Sequence, residues 1–381
     1  MAETRVTYLI GAGASANALP VVNSMNDRME IFINQLSLTK YSNNKLYRFD
    51  LNSITHLKEI LIDIKGHYTI DTLAKKYSLT ENFSKLNSLK NFLTAYFYFE
   101  QLAQKSREQL SYIIENWGNS KGISHKYNIE DRKGYQKSEE YKKIYKHIFD
   151  DFDYRYDSFF ANYLEKENNK LVVPPNVNII SWNYDSQFEL AYSNYLNKHE
   201  YKFSSVQELL QVYPNQKNTE IDKNLSSIIK LNGSATFIND KIESEVDLVK
   251  GNFTKIITEL KKINNIRDEN ITNLNFAWEN EEQVTKAREY AREIISNSDV
   301  IVIIGYSFPT FNRDVDRYIF YDFNINYNSA ITSRKQRKIY IQDKIENAPK
   351  IIERLRAIGD NLYGISETYP EVDQFLIPYE L

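Results

Sequence analysis

The stretch that most constrains the fold is Val6-Thr7-Tyr8-Leu9-Ile10-Gly11-Ala12-Gly13-Ala14-Ser15. A short apolar run ends in two glycines one residue apart, and a serine comes after them. That order predicts a buried first strand feeding a tight turn into a helix. Glycines at such a turn allow positive φ and let a ligand approach without a Cβ in the way. A helix N-terminus aimed at the same spot favours a phosphate. With Ala16 the spacing also fits the dinucleotide fingerprint, glycine-x-glycine-x-x-glycine or alanine. A turn needed only for strand-to-helix packing would leave the same trace.

The usual companion of that fingerprint is an acidic residue ending a second strand about 20 residues further on. Glu30 stands near that distance, but Asn26 to Ile33 has a helical pattern, which disfavours a hydride-transferring dehydrogenase. No glycine-rich loop ending in Gly-Lys-Ser or Gly-Lys-Thr occurs, which disfavours a P-loop nucleotidase. The 381 residues can bury a large core, in one domain or two. A net charge of -3 does not announce a nucleic-acid binder, so no direct nucleic-acid contact is expected. The absence of cysteine removes disulfides, thiol nucleophiles and cysteine-based zinc sites. The 29 tyrosines and 20 phenylalanines read as compositional bias rather than stacking platforms. No basic leader precedes an apolar core, and no apolar run approaches the roughly 18 residues of a membrane span. A cytoplasmic protein without membrane contact is therefore expected.

From about residue 24 to 166 the pattern is helical, with no convincing strand. Leu51, Ile54, Leu57, Leu61 and Ile64 recur at helical spacing, as do Leu86, Leu89, Leu93, Phe97, Leu102, Leu110, Ile113 and Trp117. Residues 118–140 read as an exposed charged connection, after which helix resumes towards Glu165. Pro174-Pro175 mark a change. Beyond them Val177 to Ser181, Ser227 to Leu231, Asp299 to Ile304 and Lys338 to Gln342 read as buried strands. Helices are expected after Asp185, over 280–297 and over Arg313 to Tyr321. Continuous apolar strands alternating with helices predict an α/β fold: a Rossmann-like parallel sheet with helices on both faces. Residues 1–23 and 167–381 form that domain, and 24–166 are a large helical insertion after the first strand. Ligands bind such sheets at the carboxyl ends of the strands, where several of these runs end in small or polar residues.

Four such ends, Gly11-Ala12-Gly13-Ala14-Ser15, Trp182-Asn183-Tyr184-Asp185, Lys230-Leu231-Asn232-Gly233-Ser234 and Ile304-Gly305-Tyr306-Ser307, occur in that order. The ordered quartet resembles the sirtuin family, and looks most like the NAD-degrading sirtuin-like domains of bacterial anti-phage defence proteins. Ile70-Asp71-Thr72-Leu73-Ala74 is also similar to a short motif of that branch. The resemblance spans nearly the whole chain and implies NAD as substrate. It gives the pyrophosphate to Gly11, Ala12, Gly13 and Ser15, and the nicotinamide ribose to Asn183, with Asp185 in support. Asn232 falls at a catalytic position, and Gly233 and Ser234 count with the NAD-binding residues. Gly305 and Ser307 fall on the adenosine side. Family deacetylases carry a four-cysteine zinc module, which a chain without cysteine cannot build. No zinc is expected, and NAD breakdown to nicotinamide and ADP-ribose is favoured over protein deacylation.

One departure bears on mechanism. Sirtuins place a general-base histidine where this chain has Asn232. An asparagine donates and accepts hydrogen bonds but takes up no proton at neutral pH. General-base help is worth about 10²–10⁴ in rate. Nicotinamide in NAD is already a cationic leaving group, so positioning and stabilisation of an oxocarbenium-like transition state could supply much of the rate. Asp185 or Asp27 could substitute as base. The alternative is a catalytically impaired module that binds NAD or ADP-ribose and regulates a defence complex. The resemblance further implies a homo-oligomer and a HerA-type ATPase as candidate partner. His56, His67, His125, His147 and His199 are scattered and carry no expected role; Asp150, Asp151, Asp153 and Asp157 read as a solvated helix face rather than a metal site.

Overall fold

The structure is a computed structural model that describes residues 3–20, 22–37, 40–42, 45–47, 51–103, 153–197, 201–215, 220–237, 272–325, 337–359, 362 and 366–381. The chain divides into two compact units. The first comprises Met1–Ser15, Asp153–Ser234 and Asn273–Leu381; the second comprises Ala16–Phe152 and Ala235–Thr272.

The first unit is built on a seven-stranded sheet, and every pairing in it is parallel. The strands lie in the order Ser366–Tyr369, Lys338–Gln342, Val300–Ile304, Val6–Ile10, Val177–Ser181, Ile228–Lys230 and Val212–Tyr213. The chain starts at the centre with Val6–Ile10, adds Val177–Ser181 beside it and goes to the edge at Val212–Tyr213. It returns to place Ile228–Lys230 between those two, and then crosses to Val300–Ile304 on the other side. Val6–Ile10 and Val300–Ile304 are buried at every position, as expected of a parallel sheet covered on both faces. One face packs Leu9, Ile180 and Ile303 with Ala287, Ala291 and Ile295 of the Glu282–Asn297 helix and Ile319 and Phe320 of Arg313–Ile325. Val284, Ala287, Ala291 and Ile295 make the buried stripe of the first of these helices, at spacings of three and four. The opposite face is aromatic. Tyr8 meets Phe159 of the Tyr154–Tyr163 helix with ring centroids 5.1 Å apart, and its hydroxyl lies 2.6 Å from that of Tyr163. This is an α/β, Rossmann-like fold.

In the second unit, helices Val22–Ser37, Leu51–Lys65, Ile70–Leu79 and Phe83–Ala103 succeed one another. Phe32 packs on Phe92 and Phe99, with centroids 5.9 and 5.1 Å away, and buried Arg28 pairs with Glu100. The Ile70–Ala74 motif opens the third helix, whose N-terminus is closed by a reciprocal Thr69–Thr72 capping box.

Two hairpins depart from the expectation of no strand before 166. They pair Lys40–Ser42 with Lys45–Tyr47, and Glu165–Glu167 with Lys170–Val172. Strands of three residues are too short for alternation to register. The second hairpin turns through Asn168 and Asn169, both at positive φ (48° and 63°), a conformation asparagine tolerates. The expectations for Leu110, Ile113, Trp117, residues 118–140, Asp150, Asp151, His125, His147 and His199 lie outside the described residues. Asp153 is not solvated. It is 1 % exposed, caps the Tyr154–Tyr163 helix through Arg155 N–H and pairs with the Arg155 guanidinium at 2.6 Å. Among the described residues no helix is long and apolar enough to cross a membrane, and no acid–histidine cluster could hold a metal.

Candidate functional site

Register assembles the site. Ile10 pairs with both Ile304 and Ser181, and Ser181 with Lys230, so four strands end level with one another. The residues just beyond those ends are Gly11, Gly305, Trp182-Asn183 and Leu231-Asn232. The crossover between the two halves of the sheet falls between Val6–Ile10 and Val300–Ile304, the point where open α/β sheets bind ligands. Four segments far apart in sequence thus meet at one sheet edge.

The glycines there are explained first by one another. A Cβ on Gly11 would lie 2.6 Å from Gly305 O, one on Gly13 2.8 Å from Gly305 Cα, and one on Gly305 2.2 Å from Ala14 N. Gly305 also holds φ at +60°. Gly11 N–H donates to Ile304 O, Gly13 N–H to Gly305 O and Ala14 N–H to Gly11 O. The turn does not lead directly into the expected helix. Ala12–Ser15 form a four-residue 3₁₀ turn, and α-helix begins only at Val22, after Pro20. No α-helix opens directly at Gly11–Ser15, so the argument that a helix N-terminus holds the phosphate does not follow from this turn alone.

Ser15 is the centre of a buried polar cluster. Its Oγ donates to Asp185 Oδ2 at 2.8 Å, lies 2.7 Å from the Tyr156 hydroxyl, and accepts from Asn183 Nδ2 at 3.2 Å. Asn183 Nδ2 also donates to Gly11 O at 3.0 Å, and its backbone N–H donates to Ser181 Oγ at 3.0 Å. Asp185 Oδ1 accepts the Gln187 N–H at 3.1 Å at the start of the Gln187–Ser193 helix. Lys230 reaches into the same region: Nζ donates to Asp185 O at 2.7 Å and to Glu189 Oε1 at 2.6 Å. Burial pushes the Asp185 carboxyl up from its usual range, while Lys230, Ser15 and the Gln187 N–H pull the other way. One Asp185 oxygen is bonded to Ser15 and the other to a backbone N–H, so the carboxylate holds both neighbours in place. Asp27, the other base considered, is an exposed residue of the Val22–Ser37 helix in the second unit.

Asn232 is 6 % exposed, and its Oδ1 is buried with no hydrogen-bond partner among the described residues. Its backbone carbonyl accepts Asn275 N–H at 2.9 Å, and Asn275 O accepts the Tyr184 hydroxyl at 2.8 Å. Gly233, at φ +70°, has no room for a side chain: a Cβ would lie 1.9 Å from Asn273 O. Ser234 is 1 % exposed. It continues from Gly233 into a second, two-stranded pairing, Gly233–Phe237 with Thr272–Leu274, rather than ending a strand of the main sheet. On the other side Ser307 is exposed, and its carbonyl accepts from Arg354 Nη1 at 2.5 Å. Between Gly305 and Ser307, Tyr306 turns inward, stacks on Trp182 with centroids 5.7 Å apart, and donates to Asp316 at 2.9 Å.

The structure therefore brings Gly11, Gly13, Ser15, Asn183, Asp185 and Gly305 into one bonded group, with Asn232 on the adjacent strand end. Ala12 and Ser307 are exposed at its rim. Tyr156, Lys230 and Glu189 are part of the group and are not among the expected site residues. Lys230 carries a readable signal, a charge in the apolar run Ser-Ile-Ile-Lys-Leu, which needs a buried partner. Tyr156 carries none. No family model matches the chain, and no curated protein matches it.

Proposed function

We propose that the chain is an NAD+ glycohydrolase, cleaving NAD+ to nicotinamide and ADP-ribose, and that it serves as an NAD-depleting effector in anti-phage defence. The observation that carries the reading is the convergence of the Gly11 turn, Asn183, Asn232 and Gly305 at level strand ends beside the sheet's crossover. In the reaction, the bond between the ribose C1′ and the pyridinium nitrogen breaks, and its electron pair neutralises the ring. Water supplies the new C1′–O bond and releases its proton. Asn183 is the candidate to orient the ribose or the water, because its Nδ2 is held by Gly11 O and Ser15 Oγ. The loss of a general base at 232 leaves positioning and transition-state stabilisation to supply the rate. Homo-oligomerisation and a HerA-type ATPase partner belong to the same proposal and rest on the resemblance alone.

A second reading is favoured by one observation: Asn232, at the strand end beside Asn183, cannot take a proton at neutral pH. It makes the chain a non-catalytic module that binds NAD or ADP-ribose and regulates a partner. Nicotinamide release by purified protein at high concentration separates the two, run beside Asn183→Ala and Asn232→His. The enzyme reading predicts release that disappears in Asn183→Ala. Release by Asn232→His alone, with NAD bound by the wild type, would instead support the second reading. Absence of NAD binding would sink both.

A further inference from the structure

Tyr156 is wholly buried, with its ring edge-on to Phe188 and Phe375 at centroid distances of 4.7 and 4.9 Å. Its hydroxyl is 2.7 Å from Ser15 Oγ. A serine hydroxyl has one proton and two lone pairs. With Asp185 ionised, Ser15 gives its proton to Oδ2, and one lone pair accepts Asn183 Nδ2. The remaining lone pair fits a single role for the phenol, that of donor. The same logic fixes the Asn183 amide. Gly11 O can only accept, so the group facing it at 3.0 Å is the NH2, and Oδ1 is turned away from the cluster. Burial, reinforced by the nearby Asp185 charge, keeps the Tyr156 phenol protonated well past the usual tyrosine range, so it remains a donor. The preceding residue holds the backbone of the same turn: Arg155 Nη2 donates to Ala14 O at 2.7 Å while paired with Asp153.

We propose that Tyr156 is a positioning residue for Asn183, acting through Ser15. The phenol pins the serine hydroxyl towards Asp185, which leaves a lone pair for the Asn183 NH2 and presents Oδ1 to a ligand. The effect on turnover rests on the NAD-hydrolysing reading; the effect on geometry does not.

Tyr156→Phe tests it, because the ring keeps its aromatic surroundings and one oxygen is lost. In a crystal structure of the free variant, Ser15 should leave its bond to Asp185 or the Asn183 amide should rotate. Unmoved Ser15 and Asn183 would overturn the inference, whether or not the protein acts on NAD. In nicotinamide release, kcat should fall about tenfold to a hundredfold, as small misplacements do, with KM for NAD within about twofold of wild type. Tyr156→Phe should add little in a Ser15→Ala background, since both act through one hydroxyl. A lowered Tm with unchanged kcat would mark Tyr156 as structural only and overturn the inference while leaving the NAD reading standing. A wild-type protein that releases no nicotinamide would count against that reading, and the crystal structure would then decide the inference by itself.

Discussion

Lys230 ends the Ile228–Lys230 strand with a side chain 2 % exposed, bonded to Glu189, itself 1 % exposed, and to the Asp185 carbonyl. Buried pairs are worth little against a well-packed apolar substitute, but removing one partner strands the other. Lys230→Met is therefore expected to cost about 3–5 kcal/mol in urea unfolding, and a Glu189→Leu companion to recover most of it. Equal instability of single and double variants would contradict this. Asp316 offers a pH test. It is fully buried against Tyr306, and burial pushes its carboxyl well above 3.8. A group raised on folding contributes stability that is complete below its unfolded value and lost as pH rises through its folded value. From about pH 4 upward the wild type should thus lose stability relative to Asp316→Asn, since an unfolded aspartate titrates near 4. Urea midpoints from pH 5 to 9 that stay parallel for the two proteins would refute it. At this scale the sequence is legible where a motif is. Gly11, Ser15, Asn183 and Asp185 lie in short strings whose order carries information. Tyr156 is one of 29 tyrosines, and its role depends on a helix packing that no local pattern encodes.

Among the elements, the interlocked turns at Gly11–Ser15 and Gly305–Ser307 make the sharpest demand on backbone space. Gly305→Ala would place a Cβ 2.2 Å from Ala14 N at a φ of +60°. Gly66→Ala meets nothing nearer than 3.4 Å. The first is expected to cost more than about 2 kcal/mol, in the range of strained-backbone variants, and the second less than about 1 kcal/mol. Thermal unfolding of both checks the contrast, and similar midpoints would contradict it. The long buried strands are readable because β-branched runs such as Val-Ile-Val-Ile-Ile, bounded by Asp299 and Gly305, have few alternatives. The edge strands Val212–Tyr213 and Ser366–Tyr369 are not, being short, and the second is only half-buried to exposed. The expectation of an α-helix directly after the first turn fails for a local reason. Ala12–Ser15 close into a 3₁₀ turn, and Pro20 separates them from the α-helix that begins at Val22.

For the whole molecule, the α/β class is legible from the alternation of buried strands and helices, but strand order is not. That Val6–Ile10 lies between Val177–Ser181 and Val300–Ile304 is a long-range fact, and it brings the four motifs to one edge. The central claim is that this edge is an NAD site. A crystal structure of the protein soaked with ADP-ribose tests it most directly, independently of turnover. ADP-ribose is expected across the carboxyl ends of the central strands, with the ribose that carried nicotinamide at Asn183 and the adenosine towards Gly305 and Ser307. ADP-ribose bound elsewhere, or absent at saturating concentration, would contradict it.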